Sequence, residues 1–227
     1  RVIEDAAHAF GSYNNNKLVG SDGDIFTFSF DGIKNITAGE GGCVVSKDKK
    51  VINSVRTSRL LGIEGETQKR YKGKKSFIFN VNKQGWRYHM SNVYAAIGSV
   101  QLSRFNTFKR KRRSLAKYYN KLLKNDKCIK LLEYNYNQIV PHIYVVRIPG
   151  LKNRSLIIKK LSLKGIESGI HWTPNHYHNF YQTKKRYILK TTEKVFPELL
   201  TLPLHPDLSK QDIEYICSEL KKIVKRK

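Results

Sequence analysis

Two side chains of complementary chemistry lie 29 residues apart near the start of the chain: Asp5, closing Val2-Ile3-Glu4-Asp5, and Lys34, following Ser29-Phe30-Asp31-Gly32-Ile33. A lysine just beyond a run of β-branched and aromatic residues, and just before Gly39-Glu40-Gly41-Gly42, is oddly placed for a solvated surface group. Desolvated there, its amine becomes a nucleophile toward carbonyls. In open α/β sheets ligands gather at the carboxyl ends of strands, and the separation of Asp5 from Lys34 suits one strand–connection–strand unit. An amine and a carboxylate brought together in that place are the two groups that pyridoxal 5′-phosphate (PLP) chemistry requires. The amine forms a Schiff base, and the carboxylate keeps the pyridine nitrogen protonated so that the ring acts as an electron sink. Ser29 adds a hydroxyl on the same strand, able to bind a phosphate oxygen. Each residue also has a plainer reading: Asp5 as a helix N-cap, Ser29 as an ordinary strand residue, Lys34 as an exposed turn lysine.

The elements that must position these groups read as α/β in the first half. Val2 to Asp5 closes a buried strand, Asp24 to Phe30 forms a second and Cys43 to Ser46 a third, with a turn-rich stretch over Tyr13 to Gly23. A helix is expected from about Asp48 to Leu61, with Val51, Ile52, Val55 and Leu60 on its apolar side. Gln68 to Lys83 reads as an exposed basic loop. Ser91 is a plausible N-cap for a helix whose face is Val93, Ala96, Ile97 and Val100, and a second helix is expected from about Arg104 to Lys124. Beyond that, short strands (Cys128 to Leu132, Ile143 to Ile148, Gly169 to Trp172) alternate with helices near Arg154 to Leu163 and Lys210 to Lys225. This is an α+β pattern, with the boundary in the long helix after Leu102.

Composition narrows the function classes. The 227 residues are 40% hydrophobic, enough for a real core and too many for a disordered chain. No stretch approaches the ~18 consecutive apolar residues of a membrane-spanning helix. Cys43, Cys128 and Cys217 are scattered, supporting neither a zinc ribbon nor a disulfide framework, and read as reduced thiols of a cytoplasmic protein. The net charge of +25 keeps a basic nucleic-acid-binding protein as an alternative. The basic clusters build no single motif, however, and Lys is the default solvated residue. His171, His176 and His178 could suggest a metal site, but no carboxylate or thiol lies close to them in sequence to complete it.

In order along the chain, Val2-Ile3-Glu4-Asp5-Ala6-Ala7-His8-Ala9, Gly23-Asp24, Phe28-Ser29-Phe30 through Lys34, and Gly39-Glu40-Gly41-Gly42 resemble the DegT/StrS family of sugar aminotransferases. The likeness continues through Gly85-Trp86-Arg87-Tyr88-His89-Met90-Ser91-Asn92, Ala95-Ala96-Ile97-Gly98, Gln101-Leu102, Gly165 to Pro174, and Leu202-Pro203-Leu204-His205-Pro206. The resemblance implies an α/β, aspartate-aminotransferase-like PLP-dependent transferase fold. Residues 1–102 would be the C-terminal part of a large domain with a mostly parallel sheet, and 103–227 a smaller α+β domain. It implies transfer of an amino group, commonly from glutamate, to a keto sugar on a nucleotide diphosphate, as in surface-polysaccharide, lipopolysaccharide or glycan biosynthesis, by a homodimer with PLP. Lys34 would be the Schiff-base lysine, Asp5 the partner of the pyridinium nitrogen, Ser29 a phosphate ligand and His8 a neighbour of the ring. Arg87 and His89, where many members carry Asn and Arg, would reach the neighbouring subunit's cofactor. His171 and His176 would face the substrate.

Lys34 argues against the related dehydratases that carry His at this position, and the scattered cysteines argue against the iron–sulfur kind. An inactive paralogue or fragment is the remaining alternative. The family also has a long upstream segment completing the large domain, so residues 1–227 alone are expected to hold cofactor weakly and to be inactive.

Overall fold

The computed structural model describes residues 1–63, 79–182 and 188–225. The expected loop from Gln68 falls mostly outside them. The chain divides into two compact units, Arg1–Asn106 and Thr107–Lys227.

The first unit is organised by a three-stranded sheet in the order β1 (Ile3–Asp5), β4 (Ile25–Ser29), β5 (Gly42–Val45). β1 runs parallel to β4, with Asp5 opposite Thr27, whereas β4 and β5 are antiparallel, with Ser29 opposite Gly42. The described sheet is therefore mixed rather than mostly parallel. The connection from β4 to β5, residues 30–41, contains no crossover helix, and the chain doubles back along β4. Phe26 and Phe28 point to one face of β4, where they are buried with Ala6; Phe10 packs edge-on against Phe28, Phe30 and Phe105 at 5.5, 6.2 and 5.0 Å. β1 was expected to be buried, but its residues are exposed, with Ile3 at 68%. It is the edge strand of the described sheet, with β4 alone beside it.

Part of the turn-rich stretch is a small hairpin, β2 (Tyr13–Asn14) with β3 (Lys17–Leu18). Its two-residue loop, Asn15-Asn16, has φ of 48° and 63°. Asparagine tolerates that left-handed pair, which gives the twist a hairpin needs. Helix α1 (Lys49–Ser58) starts where Asp48 accepts a hydrogen bond from the Lys50 amide, and it stops short of the expected Leu61. Leu61 and Gly62 both take positive φ, and Leu60 instead bridges Arg87 in antiparallel fashion.

Helix α2 (Asn92–Leu123) is one helix of 32 residues where two were expected. Nothing between Val100 and Asn106 breaks it: the segment holds neither glycine nor proline. Ser91 caps it, its hydroxyl accepting from the Tyr94 amide. Val93, Ile97 and Val100 do share a face, and that face is exposed.

The second unit contains an antiparallel sheet, β6 (Lys130–Leu131), β7 (Tyr144–Arg147) and β8 (Leu199–Leu202), packed with helices α3 (Arg154–Ser162) and α5 (Lys210–Lys225); a short helix, α4 (Lys190–Val195), precedes β8. The strand expected over Gly169 to Trp172 is reduced to a bridge between Gly169 and Thr201. Asn153 caps α3 through the Leu156 amide, and Ser209 with Asp212 forms a reciprocal capping box on α5. Among the described residues no carboxylate pairs with the buried Arg112 guanidinium; its Nη1 donates to the carbonyls of Pro141, His142 and Leu204. Burial lowers its pKa to about 10.

Candidate active site

Three stretches of the first unit meet at the carboxyl ends of β1 and β4. The first ends on Asp5 and turns through Ala6 to Ser12. The Ala9 amide donates to Ala6 O and the Ser12 amide to Ala9 O, each at 2.9 Å. No helix follows Asp5, so the N-cap alternative is only half realised: its Oδ1 accepts from the Ala7 amide at 3.0 Å in a local turn, and the residue stays exposed. His8 rides on this turn.

The second stretch is β4 itself, which delivers Ser29. Its Oγ accepts from the Asp31 amide at 3.3 Å, leaving the hydroxyl hydrogen free to rotate toward another acceptor.

The third is the connection from Phe30 to Gly41. Asp31 sets the turn that presents Lys34, taking the Lys34 amide on its carbonyl and the Ile33 amide on its carboxylate. Directly after it, Asn35 and Ile36 are buried and anchor the loop, while Ala38 and Thr37 bond back to Phe30 O. Lys34 Nζ then lies 2.9 Å from His8 Nε2. Asp5, His8, Ser29 and Lys34 are thus gathered at one end of adjacent strands, with the Lys34 amino nitrogen held against an imidazole. Such a set can bind an anionic, carbonyl-bearing ligand and take or give a proton.

Three glycines read as motif residues in the sequence also support the site through close backbone approach. Gly39 and Gly41, with φ of +87° and +126°, pass beneath Tyr94 and Met90, and Gly98 of α2 lies against Ala38. The signal was there in the glycines: two at positive φ in one loop and one inside a helix mark close approach of backbone to a neighbour.

Arg87 and His89 are exposed, on a segment whose backbone pairs with residues 58–61 at the end of α1. No described contact joins them to Lys34, Asp5 or Ser29. His171 and His176 belong to the second unit. His171 Nδ1 lies 3.0 Å from Thr201 Oγ1, and His176 Nε2 lies 3.3 Å from Glu193 Oε1. Among the described residues no group of three or more His, Cys, Asp or Glu could hold a metal ion.

The chain matches the family model of the DegT/DnrJ/EryC1/StrS aminotransferase family over residues 1–221. It is 28% identical to the spore coat polysaccharide biosynthesis protein SpsC of Bacillus subtilis, over 99% of this chain and 60% of SpsC. Among solved structures, it resembles PseC of Helicobacter pylori, an aminotransferase involved in the biosynthesis of pseudoaminic acid, at 25% identity and a TM-score of 0.89, covering 99% of this chain and 60% of PseC. It also resembles the putative sugar aminotransferase Spr1654 of Streptococcus pneumoniae in its PMP form, at 26% identity and a TM-score of 0.88, covering 99% of this chain and 59% of that one. The chain therefore spans about three fifths of the length of these relatives. An aspartate-aminotransferase-like α/β fold, a strand-end lysine set against a histidine, and a match running from the first strand into the last helix agree: the chain belongs to the DegT/DnrJ/EryC1/StrS aminotransferase family.

Proposed function

We propose that the chain supplies the lysine-bearing part of a cytoplasmic PLP-dependent transaminase. It moves an amino group, taken from glutamate, to the keto group of a nucleotide-diphosphate sugar for surface-polysaccharide or glycan biosynthesis. The observation that carries this reading is the placement of the Lys34 amine against His8 at the strand ends where Asp5 and Ser29 also lie. The names of SpsC and PseC support the biosynthetic setting.

DegT family aminotransferases use PLP, and the residues present fit that group. An exposed carboxylate, an amine and a hydroxyl converge, and the loop between them is kept thin by glycines. When bound, the group supplies an electron sink for negative charge at the donor's Cα. Lys34 would take the Cα proton of the donor. Asp5 would hold the ring nitrogen protonated, Ser29 would bind the phosphate, and His8 would sit beside the ring. Arg87 and His89 would serve the neighbouring subunit's site in a homodimer, and His171 and His176 would face the sugar. No helix among the described residues is long and apolar enough to cross a membrane.

The test is borohydride reduction of the intact protein with PLP, followed by peptide mapping, alongside amino-transfer assays with a panel of nucleotide keto sugars. Phosphopyridoxyl on Lys34 and transfer to one of the sugars are expected, with both lost in Lys34→Ala. Labelling of another lysine in preference to Lys34 would overturn the assignment.

A further inference from the structure

We propose that His8 takes a proton from Lys34 when the lysine condenses with the aldehyde of the incoming cofactor, so that His8 is a catalytic residue of cofactor loading. The inference rests on the reading of Lys34 given above and adds a step to it. The separation of 2.9 Å between Lys34 Nζ and His8 Nε2 is that of a direct hydrogen bond.

The two residues are 26 apart in sequence, and backbone turns on both sides prescribe their meeting. His8 is fixed by the paired turns from Ala6 to Ser12, and Lys34 by the Asp31 turn and the buried Asn35 and Ile36 behind it. Neither side chain has to search a large volume for the other.

The chemistry needs such a partner. An amine attacks a carbonyl only through an unprotonated nitrogen, so a neighbouring proton acceptor favours the reaction. With one proton passed to His8 Nε2, the nitrogen forms a bond to the aldehyde carbon as the carbon–oxygen double bond breaks. The two protons left on nitrogen depart with that oxygen as one water. The proton held by His8 returns to the new carbon–nitrogen double bond or passes to solvent, so atoms and charge balance and no oxidant is required. Imidazole is suited to this because either ring nitrogen can accept or donate, depending on tautomer. A glutamine in the same place could hold the amine but could not take its proton.

The experiment uses the intact protein stripped of cofactor, as wild type, His8→Gln and His8→Ala. Each is mixed with PLP, quenched with borohydride at timed intervals and digested, so that labelling of Lys34 is followed by peptide mass. Other surface lysines in the same digest serve as the control for general reactivity. His8 is exposed, and both variants are expected to melt as the wild type does. Labelling of Lys34 should slow about tenfold to a hundredfold in both, at or below the lower range for a positioned proton acceptor. Added imidazole should restore the rate in His8→Ala, where a cavity is left, and not in His8→Gln. Wild-type labelling rates in both variants, or no response to imidazole, would overturn the role of His8 while leaving Lys34 as the cofactor lysine. Labelling of the wild type that shows no preference for Lys34 would overturn both.

Discussion

The methyl end of Met90 occupies the space that a side chain on Gly41 would need: a Cβ there would come within 2.4 Å of Met90 Cε. Gly41 also sits at φ +126°, a conformation that residues with a Cβ rarely adopt. The backbone conformation is the firm requirement for glycine, while Met90 Cε is the far end of a flexible side chain that can shift aside. Gly41→Ala is expected to destabilise the chain by about 1–3 kcal/mol in denaturant unfolding, by strain and overpacking together. Adding Met90→Ala should recover the packing part and leave the backbone part. A Gly41→Ala chain as stable as its parent would show that the loop relaxes at no cost.

Asp5→Asn probes the carboxylate alone. The amide keeps the shape and still accepts from the Ala7 amide, so the turn beneath His8 should survive. The variant of the intact protein is expected to retain PLP but to lose transamination by about a hundredfold or more, because a neutral group no longer favours the protonated ring nitrogen. Turnover equal to the wild type would remove Asp5 from the site.

Arg87 and His89 make no described contact with Lys34, and the proposed function has them serve a second copy's site. Mixed dimers of Lys34→Ala with Arg87→Ala subunits test this. One of the two sites in each mixed dimer would then hold both intact contributions, and activity should return to about half per dimer. Verified mixed dimers with no recovery would return Arg87 to its own subunit's site or to none.

In the second unit, Glu198 accepts from the Gly150 amide at 2.7 Å and from Arg147 Nε at 2.6 Å. The Gly150 amide first, and then Arg147, hold its carboxyl below the ordinary value. Its proton therefore binds more tightly when the chain is unfolded. The stabilisation is fully present above the ordinary glutamate value and is lost as pH falls through the lower folded one. Melting temperature measured from pH 7 down to about pH 2.5 should show Glu198→Gln less stable than the wild type at neutral pH, with the two curves converging in acid. Curves that stay parallel would show that the carboxylate contributes nothing through its ionisation.

Much of this was legible in the sequence because the physics was local. β4 announced itself by a β-branched and aromatic run between glycines, and α5 by Ile213, Ile216 and Leu220 at helical spacing, all of which are buried. Asp5 and Lys34 were legible for the same reason, each following a readable strand. β8 was not: Leu199 to Leu202, Leu-Leu-Thr-Leu, is a four-residue stretch between Pro197 and Pro203, too short for any period to show. The hairpin at Asn15-Asn16 was hidden because its strands are two residues each. The contact of His8 with Lys34 depends on two turns whose geometry no pattern of hydrophobicity records. The exposed apolar residues of β1 were misjudged because burial depends on what lies alongside an element, which its own residues do not state.

Arg112 carries a consequence for the order in which the second unit assembles. The carbonyls it collects come from residues 29, 30 and 92 positions further along the chain. No nascent helix can make these bonds, and closing the loop to Leu204 requires β7 and β8 to be in place first. The guanidinium is therefore expected to act as a latch set after the folding barrier rather than as part of the nucleus. Arg112→Met is expected to speed unfolding while leaving the refolding rate nearly unchanged, a φ-value near zero in stopped-flow chevron measurements. A slowed refolding limb would place these bonds in the transition state. With the expected outcome, one side chain would set the unit's persistence against unfolding separately from the speed with which it folds.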